Sequence, residues 1–200
     1  MRGRHWRRIL AEGISRFVNP LVVVAAVFIL VVTGFEVARP GATLAVCLAF
    51  GVFLPLAYVR FLMFRGEVDG FFIPLRAGRL RPLLVVSASC LTGVVLLQRV
   101  AAPPEVWALM LCYAVNAVLM AVFTLRWKVS LHAGGAWGSL VAVVFLFGSF
   151  ALFLVPVPLA VSWARVELGA HTPAQVLGGG GLGLAATWLQ FALVLDTLPF

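Results

Sequence analysis

Only 11% of the 200 residues are charged, so the side chains able to do chemistry stand out by their rarity. Lysine occurs once, at Lys128, and two of the three histidines are His132 and His171. Lys128 and His132 share the stretch "RWKVSLH" (Arg126–His132), while His171 ends "ARVELGAH" (Ala164–His171). A third polar stretch, "FRGEVDGFFIPLRAGRLRP" (Phe64–Pro82), adds Arg76, Arg79 and Arg81. A single lysine or histidine at the edge of an apolar run reads as a snorkelling anchor. Arg76, Arg79, Arg81, Lys128, Ser130, His132, Arg165 and His171 together read differently, as a set suited to a phosphate.

Guanidiniums hold phosphoryl oxygens bidentately, a lysine adds a point charge, and a serine hydroxyl adds a hydrogen bond. Fixed cations also favour a phosphoryl-transfer transition state, whose negative charge spreads over the equatorial oxygens. A neutral histidine can attack phosphorus while a protonated one gives its proton to the departing alcohol. Both roles need pKa values near neutrality, which is where imidazole titrates. The seven acidic residues are dispersed, with only Glu67 and Asp69 close together, so no carboxylate cluster is available for magnesium. The sequence thus predicts metal-independent hydrolysis that needs no cofactor.

The elements that must position these residues are membrane helices. Hydrophobic residues make up 63% of the chain and the mean hydropathy is +1.10. Apolar runs of bilayer length lie at 17–37, 43–59, 82–98, 106–125 and 176–195, and a longer uncharged run covers 133–164. Backbone polar groups in lipid must pair within the segment, which predicts an all-α, polytopic transmembrane helix bundle. As one helix, the 133–164 run would reach about 48 Å, well beyond a ~30 Å hydrocarbon core. A break near "LFGSF" (Leu146–Phe150) or at "PVP" (Pro156–Pro158) would make it a short broken hairpin. The bundle then has six to seven membrane segments, and the three polar stretches fall on one face. An unbroken span would separate the third stretch from the other two.

Residues 1–16 form a basic N-terminal segment and 17–200 a single transmembrane domain. The apolar segment behind "MRGRHWRR" is too long for a signal peptide and carries no small-residue cleavage site, which predicts a retained first helix. Cys47, Cys90 and Cys112 stand singly in apolar runs and read as packing residues. The net charge of +8 has no soluble domain to present it to nucleic acid, so interfacial arginines facing anionic headgroups explain it. "GGGGLG" (Gly178–Gly183) lacks the Lys-Ser/Thr of a phosphate loop and reads as close helix packing. Trp127 and Trp163 read as interfacial anchors and His5 as incidental. The arginines at 2, 4, 7 and 8 predict a cytoplasmic N-terminus, with the polar site on that side.

The pattern resembles the type 2 phosphatidic acid phosphatase superfamily, in a divergent bacterial branch. That family's third motif, Ser-Arg-x5-His-x3-Asp, is approached by Ala164-Arg165-x5-His171-x3-Gln175, followed by "VLGG". Its second, Pro-Ser-Gly-His, appears as Val129-Ser130-Leu131-His132. Its first, Lys-x6-Arg-Pro, keeps Arg81-Pro82 but has Pro74 where the lysine belongs, with Arg76 and Arg79 nearby. The resemblance runs from about Asp69 to Gly183. It implies that His171 is the nucleophile and His132 the acid for the leaving group. Arg76, Arg79, Arg81, Lys128, Ser130 and Arg165 would bind the phosphate.

Gln175 stands where the family has an aspartate that orients the nucleophile and stabilises its charged form. An amide orients by hydrogen bonding but supplies no charge. Glu167, four residues before His171, could compensate on a helix; otherwise it is a solvated interfacial carboxylate. The implied partner is a phosphorylated lipid such as phosphatidate, phosphatidylglycerol phosphate or a polyprenyl (di)phosphate, in a bacterial inner (plasma) membrane. Three activities fit: a lipid phosphate phosphatase, a transferase sharing its nucleophile, or a phospholipid or prenyl-phosphate binding or transport protein without turnover.

Overall fold

The computed structural model describes residues 2–68, 70 and 76–195. It is predominantly helical within this range, with α1 (Arg2–Phe17), α2 (Pro20–Gly34), α3 (Pro40–Leu48) and α4 (Leu54–Phe64) in its first third. There follow α5 (Leu80–Arg99), α6 (Pro104–Arg126), α7 (Leu131–Phe147), α8 (Pro156–Glu167) and α9 (Pro173–Leu195). Many of these starts are written as prolines: Pro20, Pro40, Pro104, Pro156 and Pro173 all open helices. Proline's fixed φ suits the first helical turn, where its missing N–H would have no partner anyway.

Five segments are long and apolar enough to cross a membrane: Pro40–Phe64, Leu80–Arg99, Pro104–Arg126, Ser149–Glu167 and Pro173–Leu193. The first joins α3 and α4 through a π-helical turn at Ala49–Phe53. The chain is therefore a multi-pass integral membrane protein with an all-α bundle. The expected first span, 17–37, begins later than its hydropathy suggests. Asn19 caps α2 by accepting from the backbone N–H of Leu21 and Val22, and the axis bends by 52° between the N-terminal helix and α2. The basic N-terminus is thereby a helix in its own right, packed against α8.

The long 133–164 run is broken, and at the first of the two places its sequence offers. Gly148, in "LFGSF", has φ 85° and ψ 177°, backbone that essentially only glycine adopts. A 3-10 turn (Ser149–Leu154) and α8 then carry the chain back along α7. The indole N–H of Trp137 in α7 donates to the Ser162 hydroxyl of α8 at 3.2 Å. Helix α9 returns beside α7, close enough that Gly179 meets the backbone of Ser130 and Gly183 that of Gly134. The glycine run thus serves helix contact, as its surroundings suggest. Helices α7 and α9 consequently start at the same end of the bundle, and α8 finishes there.

Phe28, Val31, Leu97, Val106, Leu109 and Met110 fill the core between these helices. Cys47, Cys90 and Cys112 are buried free thiols within it. Polar pairs tie helices in the low-dielectric interior, where an unpaired polar group is costly. Asn116 donates to Thr187 at 2.8 Å, Gln190 to Asn116 at 3.0 Å, and the Tyr113 and Ser139 hydroxyls lie 3.0 Å apart.

Candidate functional site

The segment from Arg165 to Gln175 is two helix caps written back to back. Helix α8 ends in a Schellman motif: the Gly169 N–H donates to the Val166 carbonyl (2.9 Å) and the Ala170 N–H to the Arg165 carbonyl (3.2 Å). The reversal requires a left-handed residue, and Gly169 supplies it with φ 65°. The His171 N–H also donates to the Arg165 carbonyl, at 3.2 Å. The five residues between Arg165 and His171 are therefore the length of this cap. It returns the chain so that the two side chains share one place.

Helix α9 opens with Thr172-Pro173-Ala174-Gln175, a capping box. The Gln175 N–H donates to the Thr172 hydroxyl (3.3 Å), and the Gln175 amide oxygen accepts from the Thr172 N–H (3.2 Å). That same oxygen lies 3.2 Å from Nδ1 of His171. An oxygen already accepting from a backbone N–H can only accept again, so Nδ1 carries the imidazole proton. Nε2 is left with its lone pair, the form a nucleophile or base requires.

The second half of the site is the start of α7. The Ser130 side chain caps that helix by accepting from the Ala133 N–H at 3.4 Å, and its own hydroxyl proton remains to donate. His132 lies in the first turn, buried. The Ser130 N–H donates to the Gln175 carbonyl at 3.0 Å, so the two helix starts are joined directly. Lys128 reaches across to the Ala170 carbonyl at 3.3 Å, and buried Arg79 donates to the Val129 carbonyl at 3.2 Å. Arg165, also buried, donates to the Ser15 hydroxyl at 2.6 Å.

The structure thus brings Arg79, Lys128, Ser130, His132, Arg165, His171 and Gln175 together. Arg79, Arg165 and His171 all lie within electrostatic range of His132. Arg81 does not join them: it is exposed, and its guanidinium meets Glu67 at 3.4 Å, because a step of two residues, roughly half a helical turn, carries it to the outer side of α5. The Arg76 side chain lies outside the described residues. Glu167 does not serve His171 either, since its charge is taken up by Arg7 at 2.8 Å.

The field here is strongly positive. Burial first, then Arg79 and Arg165, with a lesser push from Lys128, depress the His171 pKa to about 4, against a small opposing effect of the Gln175 hydrogen bond. The Lys128 pKa is lowered by burial and by Arg79 and Arg165, and that of Arg79 by burial. His171 is accordingly neutral at pH 7. Because its folded pKa lies below the ordinary value near 6.5, the folded state gains from this group above that value and loses the gain as pH falls toward 4. Two helix starts add their partial positive charge to the same spot. What such a place accepts is an anion, with an unprotonated imidazole beside it.

The sequence reading missed Thr172, whose capping-box signature with Gln175 was in plain view, and Ser15, for which no local signal exists. No protein-family model, curated protein or solved structure matches the chain, so its geometry and chemistry are the only basis for assigning the site.

Proposed function

We propose that the protein is a lipid phosphate phosphatase of the type 2 phosphatidic acid phosphatase kind, acting through a phosphohistidine. The observation that carries this reading is the Gln175–His171 contact, which leaves the Nε2 lone pair bare beside a cluster of cations. In the proposed first step Nε2 of His171 forms a bond to phosphorus as the bond from phosphorus to the lipid oxygen breaks. Burial and the surrounding cations disfavour the charged form of His132, so it acts once the bound phosphate's negative charge has offset that field and a proton has been taken up from water. Protonated His132 then gives that proton to the lipid oxygen. Water then attacks phosphorus as the bond from phosphorus to Nε2 of His171 breaks, His132 takes up the water's proton, and inorganic phosphate leaves with His171 restored to its neutral form. Arg79, Arg165 and Lys128 hold the phosphoryl oxygens, and Ser130 donates its hydroxyl proton to one of them.

The substrate is a phosphorylated lipid presented at the membrane surface: phosphatidate, phosphatidylglycerol phosphate or a polyprenyl (di)phosphate. The arginines at 2, 4, 7 and 8 support a cytoplasmic N-terminus, with the site on the same side, and the family resemblance supports a bacterial plasma membrane. A second reading rests on the neutral amide of Gln175, which lacks the charge that would stabilise an imidazolium: the pocket binds or carries such a lipid without turning it over. Phosphate release from short-chain phosphatidate, phosphatidylglycerol phosphate and prenyl diphosphates by the purified protein separates the two. Hydrolysis requires release that vanadate inhibits, EDTA does not, and His171→Ala abolishes. Lipid binding without release, unaffected by His171→Ala, supports the carrier.

A further inference from the structure

Resting on that reading of the site, we propose that α1 forms one of its walls and that Ser15 is a positioning residue for the phosphate-binding Arg165. Arg7, Ala11 and Ser15 are spaced four residues apart and so lie along one stripe of α1. All three face α8. Arg7 pairs with Glu167 at 2.8 Å and stands 6.0 Å over the Trp163 ring, Ala11 is fully buried, and Ser15, 3% exposed, accepts from Arg165 at 2.6 Å. Trp6, Ile9, Leu10 and Phe17 are exposed elsewhere on α1, a composition suited to the membrane interface. The 52° bend at α2 means that this helix is placed by its contacts with α8 and not by continuation of α2.

The chemistry of guanidinium makes the Ser15 contact consequential. Its five N–H groups lie in one rigid plane, so fixing one nitrogen on Ser15 sets the directions of the others. Ser15 acts on phosphate only through Arg165, as one of the contacts that set where the guanidinium aims. Glu167, the carboxylate for which the site chemistry has no use, holds the far end of the same stripe through Arg7.

The test is vanadate affinity of the full chain in nanodiscs, together with kcat and KM for short-chain phosphatidate. Ser15→Ala is expected to weaken vanadate binding about tenfold, the loss of one hydrogen bond to a charged group, and to raise KM more than it lowers kcat. Ser15→Thr keeps the hydroxyl and is expected to retain wild-type affinity. Arg8→Gln, whose partner is Glu12 on the same helix, is expected to change neither value. Wild-type affinity in Ser15→Ala overturns the proposal. So does an equal loss in all three variants, which is a general loosening of α1. A wild-type protein that neither binds vanadate nor releases phosphate overturns instead the reading of the site beneath it.

Discussion

The junction between α8 and α9 and the approach to α5 both deliver cations to the site, but they do so in opposite ways. Between Arg165 and Gln175 the backbone itself does the positioning. A Schellman cap and a capping box share the eleven residues of this stretch, and their hydrogen bonds fix Arg165, His171 and Gln175 relative to one another. Along Arg79 to Arg81 no such frame exists. Arg79 is buried and reaches the Val129 carbonyl, whereas Arg81, two residues on, is 77% exposed and pairs with Glu67. Spacing is informative where caps dictate it, and less so where a helix merely carries several arginines past a site.

The largest expected effect tests the junction. His171→Ala should reduce vanadate-sensitive phosphate release by a factor on the order of 10³ to 10⁶, the scale seen when a nucleophile is removed. The approach to α5 should then split. Arg79→Ala is expected to raise KM and the vanadate inhibition constant by about tenfold or more, since it removes a charge-assisted contact, while Arg81→Ala leaves both close to wild type. Equal losses at the two arginines would erase the contrast drawn between the regions.

Gln175→Asp sharpens the comparison by altering charge while keeping an acceptor oxygen. The wild-type His171 ring is expected to titrate near 4, held down by burial and by Arg79 and Arg165. A carboxylate beside Nδ1 opposes that field, so the pKa must rise, and ring nitrogen chemical shifts should report titration nearer neutrality. Phosphate release at pH 7 is expected to increase as well, because the phosphoryl-imidazolium intermediate gains a counter-charge. An unshifted titration would mean that Gln175 is not the partner of His171. The smallest effect concerns stability: Gly169→Ala forces an alanine into φ 65° and should lower stability by about 1 kcal/mol, seen as a lower unfolding midpoint. The same change at Gly13, in mid-helix with open space around its Cβ position, should stabilise slightly.

Much of this was legible in the sequence, for identifiable reasons. Bilayer-length apolar runs and helix-opening prolines predict the bundle, and the excess length of 133–164 predicts a break that Gly148 supplies. His132, His171 and Arg165 were found because polar side chains are rare in this chain and need a reason to be there. What stayed hidden depends on packing between distant segments. Nothing near Ser15 marks it as the partner of a residue 150 positions away. Glu167 looked like a neighbour of His171 on a continuous helix, but α8 ends there and the glutamate turns to Arg7. Arg81 matches a motif by spacing, yet helical periodicity directs it outward.

The most direct test of the central claim is to trap the intermediate. Protein mixed briefly with ³²P-labelled short-chain phosphatidate and quenched in alkali should carry a base-stable, acid-labile phosphoryl group. Mass spectrometry should locate it on His171, and His171→Ala should carry none. Rapid release of labelled phosphate with no such adduct, or with the adduct on another residue, would contradict the account.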